Sequence, residues 1–140
     1  MESGTANTLT LARARAILHA GIEAAAGEDA SFTIVVLDTG GNVKAVYSMD
    51  DSPLMSYDMA YGKAYTAIGM RMPTNVWSDV MKDDPSFGGA ITSVKNFVPF
   101  GGGIPLYSGS DIVGSVGVSG GTVEQDVRVA EASAGAEESH

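Results

Sequence analysis

The spacing of hydrophobic residues changes along the chain, and these changes divide it into helices and strands. Over residues 9–26 apolar side chains recur every three or four positions, which predicts a helix with Thr8 or Thr10 at its N-cap. Two β-branched runs, 32–37 and 43–47, are joined by a turn rich in Gly and Asn, a pattern typical of a β-hairpin.

The middle of the chain predicts further helices. A helical pattern begins at Ser56 and runs to about residue 71, and it must end before Pro73. Pro73 suits the first turn of a short helix that includes residues 76–81. The Pro and Gly residues of 83–89 predict a loop, and residues 90–98 fit a helix and a strand equally well.

Glycine becomes frequent in the last third of the chain, where residues 99–121 hold eight of the eighteen glycines. Strand-like runs at 104–107 and 112–118 flank a turn at 108–111, which predicts a second hairpin. The segment Thr-Val-Glu-Gln at 122–125 matches a capping box and predicts the start of a final helix.

The order of these elements predicts an α+β fold, because hairpins build an antiparallel sheet on which helices can pack. No repeat or linker interrupts the 140 residues. We therefore expect one domain over residues 1–140, with a core of about 9–134.

Composition narrows the classes of function. The net charge of −9 and the scattered basic residues argue against nucleic acid as a partner, since phosphate binding needs clustered Lys and Arg. The absence of cysteine excludes disulfides, thiolate metal sites and a Cys nucleophile. Residues 1–4 lack the pattern of a signal peptide, and no apolar run is long enough to span a membrane. We expect a cytoplasmic protein without a membrane partner.

The glycines of 99–121 do not form a nucleotide-binding loop. Their spacing differs from the dinucleotide fingerprint, and no Gly-Lys-Ser/Thr follows as in a P-loop. Gly114 and Gly117 lie inside a predicted strand, where glycine is expected if another backbone approaches closely. A helix with small residues, such as the one carrying Ala60, Ala64 and Ala67, would fit against them.

The two ends of this stretch are candidates for binding an anionic ligand. Gly101, Gly102 and Gly103 precede a strand. Gly120, Gly121 and Thr122 lead into a helix N-terminus, where free backbone amides favour a carboxylate or phosphate. If the hairpin between them folds back, both ends frame one pocket; the alternative is that both are ordinary turns.

Charged side chains supply further candidates. Lys63 and Arg71 fall at i and i+8 of a predicted helix, roughly on one face, and could hold an acidic ligand, or both could simply be solvated. His19 is the one histidine besides His140 and is a candidate ligand for haem iron, or a solvated side chain. No second histidine is available for a bis-His site, in which two histidines coordinate one haem iron.

Two carboxylates are weak candidates for catalysis. Asp38 follows a predicted strand and Glu124 lies in the first turn of the last helix. Either could carry a proton as a general base, which needs only one positioned carboxylate. The alternatives are a turn acceptor for Asp38 and a favourable interaction with the helix dipole for Glu124.

Five segments together carry a resemblance to a known family: "LTLARARAILHAGIEAA", "IVVLDTGGNVKAVYSMDDSPLMS", "GKAYTA", "PFGGGIPL" and "VGSVGVSGGTVEQD". Over about residues 9–134 the chain resembles the GlcG/HbpS-like family, which includes the C-terminal domain of PduO-type corrinoid adenosyltransferases. The resemblance implies a profilin-like three-layer domain, an antiparallel sheet flanked by helices, and assembly into homo-oligomers.

Because several members of this family bind haem, the resemblance implies a small-ligand-binding protein for haem or a related tetrapyrrole. His19 would then be the candidate iron ligand, and the propionate groups of haem would bind to Lys63, Arg71 or the glycine amides. The alternative function is a small cofactor-independent enzyme for an acidic or carbonyl-containing metabolite, with Asp38 or Glu124 as proton carrier. Whether the protein is an enzyme stays open at this point.

Overall fold

The computed structural model describes residues 8–136 and contains one four-stranded antiparallel sheet. Its elements are α1 (Leu11–Ala26), β1 (Thr33–Asp38), β2 (Val43–Ser48), α2 (Ser56–Met70), α3 (Trp77–Asp83), α4 (Pro85–Ile91), β3 (Gly103–Ser108), β4 (Asp111–Ser119) and α5 (Val123–Ala134). A single 3-10 turn, Thr74–Val76, precedes α3. The strand order is β2-β1-β4-β3, so the two predicted hairpins lie side by side and β1 pairs with β4 at the centre.

The sheet separates two hydrophobic layers, because alternate side chains of a strand point to opposite faces. Ile34 and Val36 of β1 pack with Ile17 of α1 and Val129 of α5 on one face. Val35 and Leu37 pack with Ala60 and Ala64 of α2 on the other. The predicted three-layer α+β architecture, an antiparallel sheet flanked by helices, is confirmed.

Helix ends largely follow the predicted capping chemistry. α1 begins at Leu11 rather than residue 9, because Thr10 is the N-cap and its hydroxyl accepts from the Arg13 N–H at 3.1 Å. α2 begins at Ser56 and ends at Met70, before Pro73, as predicted. The hydroxyl of Thr122 and the side chain of Gln125 form the predicted capping box of α5.

The predicted loop at 83–89 is wrong, since residues 85–91 form helix α4. Asp84 is its N-cap and accepts from the Phe87 N–H at 3.1 Å, while Pro85 occupies the first turn. The ambiguous segment 90–98 contains the end of this helix, followed by turns and irregular backbone rather than a strand.

The two strand glycines of β4 face opposite layers, which partly corrects the predicted packing. A Cβ at Gly117 would lie 2.6 Å from the Ala64 N and 3.0 Å from its Cβ, so α2 does pack there as expected. A Cβ at Gly114 would instead lie 2.9 Å from Leu9 Cδ2, on the side of α1. The reason is their odd spacing of three positions, which places them on different faces of the strand.

Some expectations fall outside the described residues. The segment 1–4, considered for a signal peptide, and the terminal His140 are not among residues 8–136. Within that range, no helix combines the length and the apolar character needed to cross a membrane.

Candidate functional site

A shallow groove of about 460 Å³ runs along the outer side of α1. The helix turns Ala14, Ile17, Gly21 and Ala25 toward the core, so Arg15 and His19 on the outer side are exposed. Leu18 and Ile22 lie between these two sides and are half-buried against the core. The groove is lined by Ala12, Arg15, Ala16, Leu18, His19 and Ile22. These residues repeat at helical spacing, so small, aliphatic and cationic side chains lie next to one another on one surface.

His19 occupies this groove with its imidazole largely in solvent, since its side chain is 73% exposed. Its Nε2 atom lies 3.6 Å from a carboxylate oxygen of Glu23, one turn further along α1. Arg15 lies one turn earlier on the same surface and is exposed. Within residues 8–136, no three His, Cys, Asp or Glu side chains lie together as around a protein-held metal ion, so His19 is a lone imidazole.

A buried ion pair lies at the end of β4, where this strand meets α2 and α5. Lys63 Nζ donates to Asp126 Oδ2 at 2.8 Å and to the Val118 carbonyl at 2.9 Å. Both side chains are at most 4% exposed. Burial raises the pKa of Asp126, and the hydrogen bonds and charge from Lys63 and the Gly121 N–H offset only part of that effect.

The two glycine clusters do converge, and they converge on this ion pair. A Cβ at Gly102 would lie 3.1 Å from Lys63 Nζ and 3.2 Å from Asp126 Cβ. Gly121 donates its N–H to Asp126 Oδ1 at 3.0 Å. The two ends of the hairpin therefore lie close together, but the carboxylate of Asp126 lies between them.

Three backbone N–H groups at these ends, those of Gly103, Gly121 and Thr122, donate to side chains of the protein itself. Gly103 donates its N–H to the Thr74 hydroxyl at 2.9 Å. Thr122 donates its N–H to Gln125 Oε1 at 2.9 Å, and the Gln125 N–H returns to the Thr122 hydroxyl at 3.1 Å. Gly101 is buried beside Asn75 and Val127, and Gly120 (φ +134°) approaches the backbone of Ser31 and Phe32.

The two basic candidates of α2 lie in different environments. Lys63 is buried in the ion pair, whereas Arg71 is exposed at the C-cap of α2 in a left-handed conformation with φ +61°. Eight residues of helix separate their Cα atoms by about 12 Å. The structure therefore does not bring them together as one cationic site.

The two candidate carboxylates are also apart. Asp38 lies at one end of β1, where it pairs with Gly114 of β4. Thr33, at the opposite end of β1, pairs with Ser119, and the chain continues from Ser119 into α5, which carries Glu124. Burial pushes the pKa of Asp38 upward, but hydrogen bonds from Asn42 and Gly40 and the charge of Lys44 outweigh it and lower the pKa. These are the surroundings of a turn acceptor. Glu124 is exposed in the first turn of α5.

Sequence reasoning missed two members of these sites. Asp126 is not among the predicted site residues, because it lies 63 positions from Lys63 along the chain and only the fold joins them. Arg15, one helical turn before His19, is also not among the predicted site residues. The alternation of Ala12 and Ala16 with Arg15 and His19 was the available signal for an exposed, unobstructed helix surface.

Comparison with known proteins agrees with the fold and the motifs. The model of the family described as "Haem degrading protein HbpS-like" matches residues 9–135. An uncharacterized 15.0 kDa protein from the dhaT-dhaS intergenic region of Citrobacter freundii is 40% identical over 126 residues, which are 89% of this chain and 88% of that one. Protein GlcG of Escherichia coli K12 is 35% identical over 107 residues, covering 76% of this chain and 77% of GlcG.

Among solved structures, a complex of PduOC with haem superimposes with a TM-score of 0.85 at 27% identity, covering 95% of this chain and 99% of that one. The structural agreement thus extends over nearly all of the chain. With the family match over residues 9–135, it shows that this chain belongs to the HbpS-like family.

Proposed function

We propose that this protein binds haem or a related tetrapyrrole in the groove on α1, where His19 would hold the iron. The observation that carries the proposal is the exposed imidazole of His19 within a surface of small and aliphatic side chains. Membership of the HbpS-like family and the fold shared with the haem complex of PduOC support the choice of ligand.

The residues of the groove fit the three chemical parts of haem. A neutral imidazole nitrogen is a common ligand of haem iron. Ala12 and Ala16 leave room above the helix, and Leu18 and Ile22 offer aliphatic contact for an apolar macrocycle. The guanidinium of Arg15 suits a propionate carboxylate, because arginine can donate two parallel hydrogen bonds to such a group. When bound, haem would supply a redox-active iron.

The groove covers one face of a flat ligand only. It is shallow and formed by a single helix, and the described residues offer no second histidine. The proposal is therefore coordination by one protein ligand from this chain, with the other face of the macrocycle left for solvent or a second molecule.

The test of this function is titration of the full chain with haemin, followed by visible absorbance. We expect saturable binding, close to one haem per chain, with a sharp Soret band. Metal-free protoporphyrin should bind more weakly, since it lacks the iron that His19 would coordinate. Absence of saturable haemin binding would overturn the proposed function.

We also propose that the protein is a cytoplasmic homo-oligomer. The chain exposes two large consecutive apolar side chains before α2, with Leu54 95% and Met55 70% exposed. Tyr57 beside them is also exposed, and contact with a second copy would remove this apolar surface from water.

Light scattering of the purified protein tests the assembly. We expect a mass above that of one chain, and a smaller mass for the double variant Leu54→Ser/Met55→Ser. Val123→Ser, which changes another exposed apolar residue on α5, is the matched control. A monomeric wild type, or a double variant of unchanged mass, contradicts this assignment. Fractionation of cells producing the chain tests the cytoplasmic location, and recovery with membranes or outside the cell contradicts it.

A further inference from the structure

A second cleft, of about 420 Å³, lies between the start of β3 and the C-terminal half of α5. It shares no lining residue with the groove on α1. We propose that this cleft binds a small organic cation, a primary amine with a short apolar body. This inference does not depend on haem binding, and each can fail without the other.

The walls of the cleft supply the apolar part of this recognition. Val127 and Ala134 of α5 fall at i and i+7, on the same side of the helix, and both are half-buried. Ile104 of β3 faces them and is also half-buried. Pro73 completes the apolar lining. A hydrocarbon chain of a few carbons would be removed from water between these side chains.

The backbone at the base of the cleft has few hydrogen-bonding groups to offer. The N–H of Gly103 is donated to Thr74, and the carbonyl of Gly102 accepts from the Val118 N–H at 2.9 Å. Polar recognition of a ligand therefore falls to the two polar side chains of the lining, Asn75 and Glu131.

Glu131 is the charged residue of the lining, and it determines the sign of the ligand. Across the part of the chain that the structure describes, no hydrogen bond or ion pair to its carboxylate is found. The nearest basic residue on α5, Arg128, is held by two 2.8 Å hydrogen bonds to Glu28. The Glu131 carboxylate is thus available to accept from an ammonium group.

The surroundings disfavour an acidic ligand in the same place. Lys63 lies under Gly102, but its ammonium is committed to Asp126 and the Val118 carbonyl. The amide oxygen of Asn75 adds a second acceptor, and an ammonium group has three donors and no acceptor. A net charge of −9 also raises the local concentration of cations around the chain.

The experiment compares three probes with the same four-carbon body: n-butylammonium, n-butanol and n-butyrate. Each is titrated into the isotope-labelled full chain, and amide chemical shifts of Gly102, Ile104 and Val127 are followed by NMR. We expect saturable shifts with n-butylammonium and much weaker ones with the alcohol and the acid. Equal or stronger binding of n-butyrate overturns the proposal, as does absence of saturable shifts with n-butylammonium.

Two variants assign the binding to this cleft. Glu131→Gln keeps the shape of the side chain and removes its charge, and we expect the Kd for n-butylammonium to rise about fivefold. Asp79→Asn removes an exposed carboxylate on α3 and should leave the Kd unchanged. Ala134→Leu narrows the cleft and should weaken both the amine and the alcohol. An unchanged Kd in Glu131→Gln, or an equal rise in Asp79→Asn, overturns the proposal.

Discussion

Lys63 Nζ lies 2.8 Å from Asp126 Oδ2 in a region where neither side chain is more than 4% exposed. This pair joins the middle of α2 to the first turn of α5, and the Gly121 N–H and the Val118 carbonyl complete its hydrogen bonds. The fold thus uses its buried cation and its buried carboxylate to fix the position of the glycine-rich loops. The exposed groove on α1, not this interior site, remains accessible to a large ligand.

Breaking the buried pair should be costly. Lys63→Met or Asp126→Asn leaves the other partner buried without its counter-charge, and we expect each to lower the free energy of unfolding by about 3–5 kcal/mol. The double variant should lose less than the sum of the two. Arg128→Ala, which breaks the exposed pair with Glu28, should change stability little. Urea unfolding measures all four, and single variants as stable as Arg128→Ala would contradict this account.

Close packing of α2 on β4 predicts that Gly117 tolerates no side chain. In Gly117→Ala the new methyl would meet the Ala64 backbone, so we expect a loss of about 1–3 kcal/mol from overpacking. Gly69→Ala is the matched control, because a Cβ there meets nothing within 4 Å and Gly69 lies within α2. Alanine favours a helix, so the control should be neutral or slightly stabilising in thermal unfolding. Equal stability of the two variants would show that the interface has room.

Asp38 should make stability depend on pH in the acid range. Its pKa in the folded chain lies below the ordinary value of about 3.9, so the folded state binds fewer protons than the unfolded state. The stabilisation from Asp38 is therefore present above that value and is lost as the pH falls through the folded pKa.

Urea unfolding of wild type and Asp38→Asn across pH 7 to 3 tests this sign. We expect the wild type to be the more stable near neutral pH, with the difference shrinking as the pH falls below about 4. Asp50→Asn removes an exposed loop carboxylate and controls for the loss of one negative charge. A difference that grows in acid would mean that Asp38 has a raised pKa instead.

The sequence predicted features that depend on nearby residues. The capping box at Thr122, the turn after β1 and the stop before Pro73 all follow from chemistry within a few positions. The same local reasoning missed α4, because the glycines at 88–89 outweighed the helix-start signal of Asp84 and Pro85. Local signals of opposite sign cannot be ranked without the tertiary contacts that decide between them.

Features that depend on residues far apart in the chain could not be predicted as well from the sequence. Nothing near Lys63 in the chain indicates that it faces Asp126 rather than solvent or a ligand. Gly114 and Gly117 were predicted to pack against the same helix, although strand geometry alone places residues three positions apart on opposite faces of the sheet. His19 was identified as a candidate from its chemistry, but its groove could be seen only when the buried side of α1 was known.

The basic residue that pairs with a haem propionate can be identified by two matched variants. In the proposed site Arg15 lies in the groove and Arg71 lies at the end of α2. We expect Arg15→Ala to weaken haemin binding up to about fivefold, the range of an exposed ion pair, while Arg71→Ala has no effect. The opposite result in haemin titrations would indicate that the haem propionates bind at the C-terminus of α2, beside Arg71.

Coordination by His19 is the central claim, and the Soret spectrum of a His19→Ala variant tests it most directly. Wild type and His140→Ala, which removes the other histidine of the chain, should give the same sharp band on titration with haemin. His19→Ala should remain folded, since the side chain is 73% exposed, and should lose that band and bind haemin more weakly. An unchanged spectrum and affinity in His19→Ala would contradict the account.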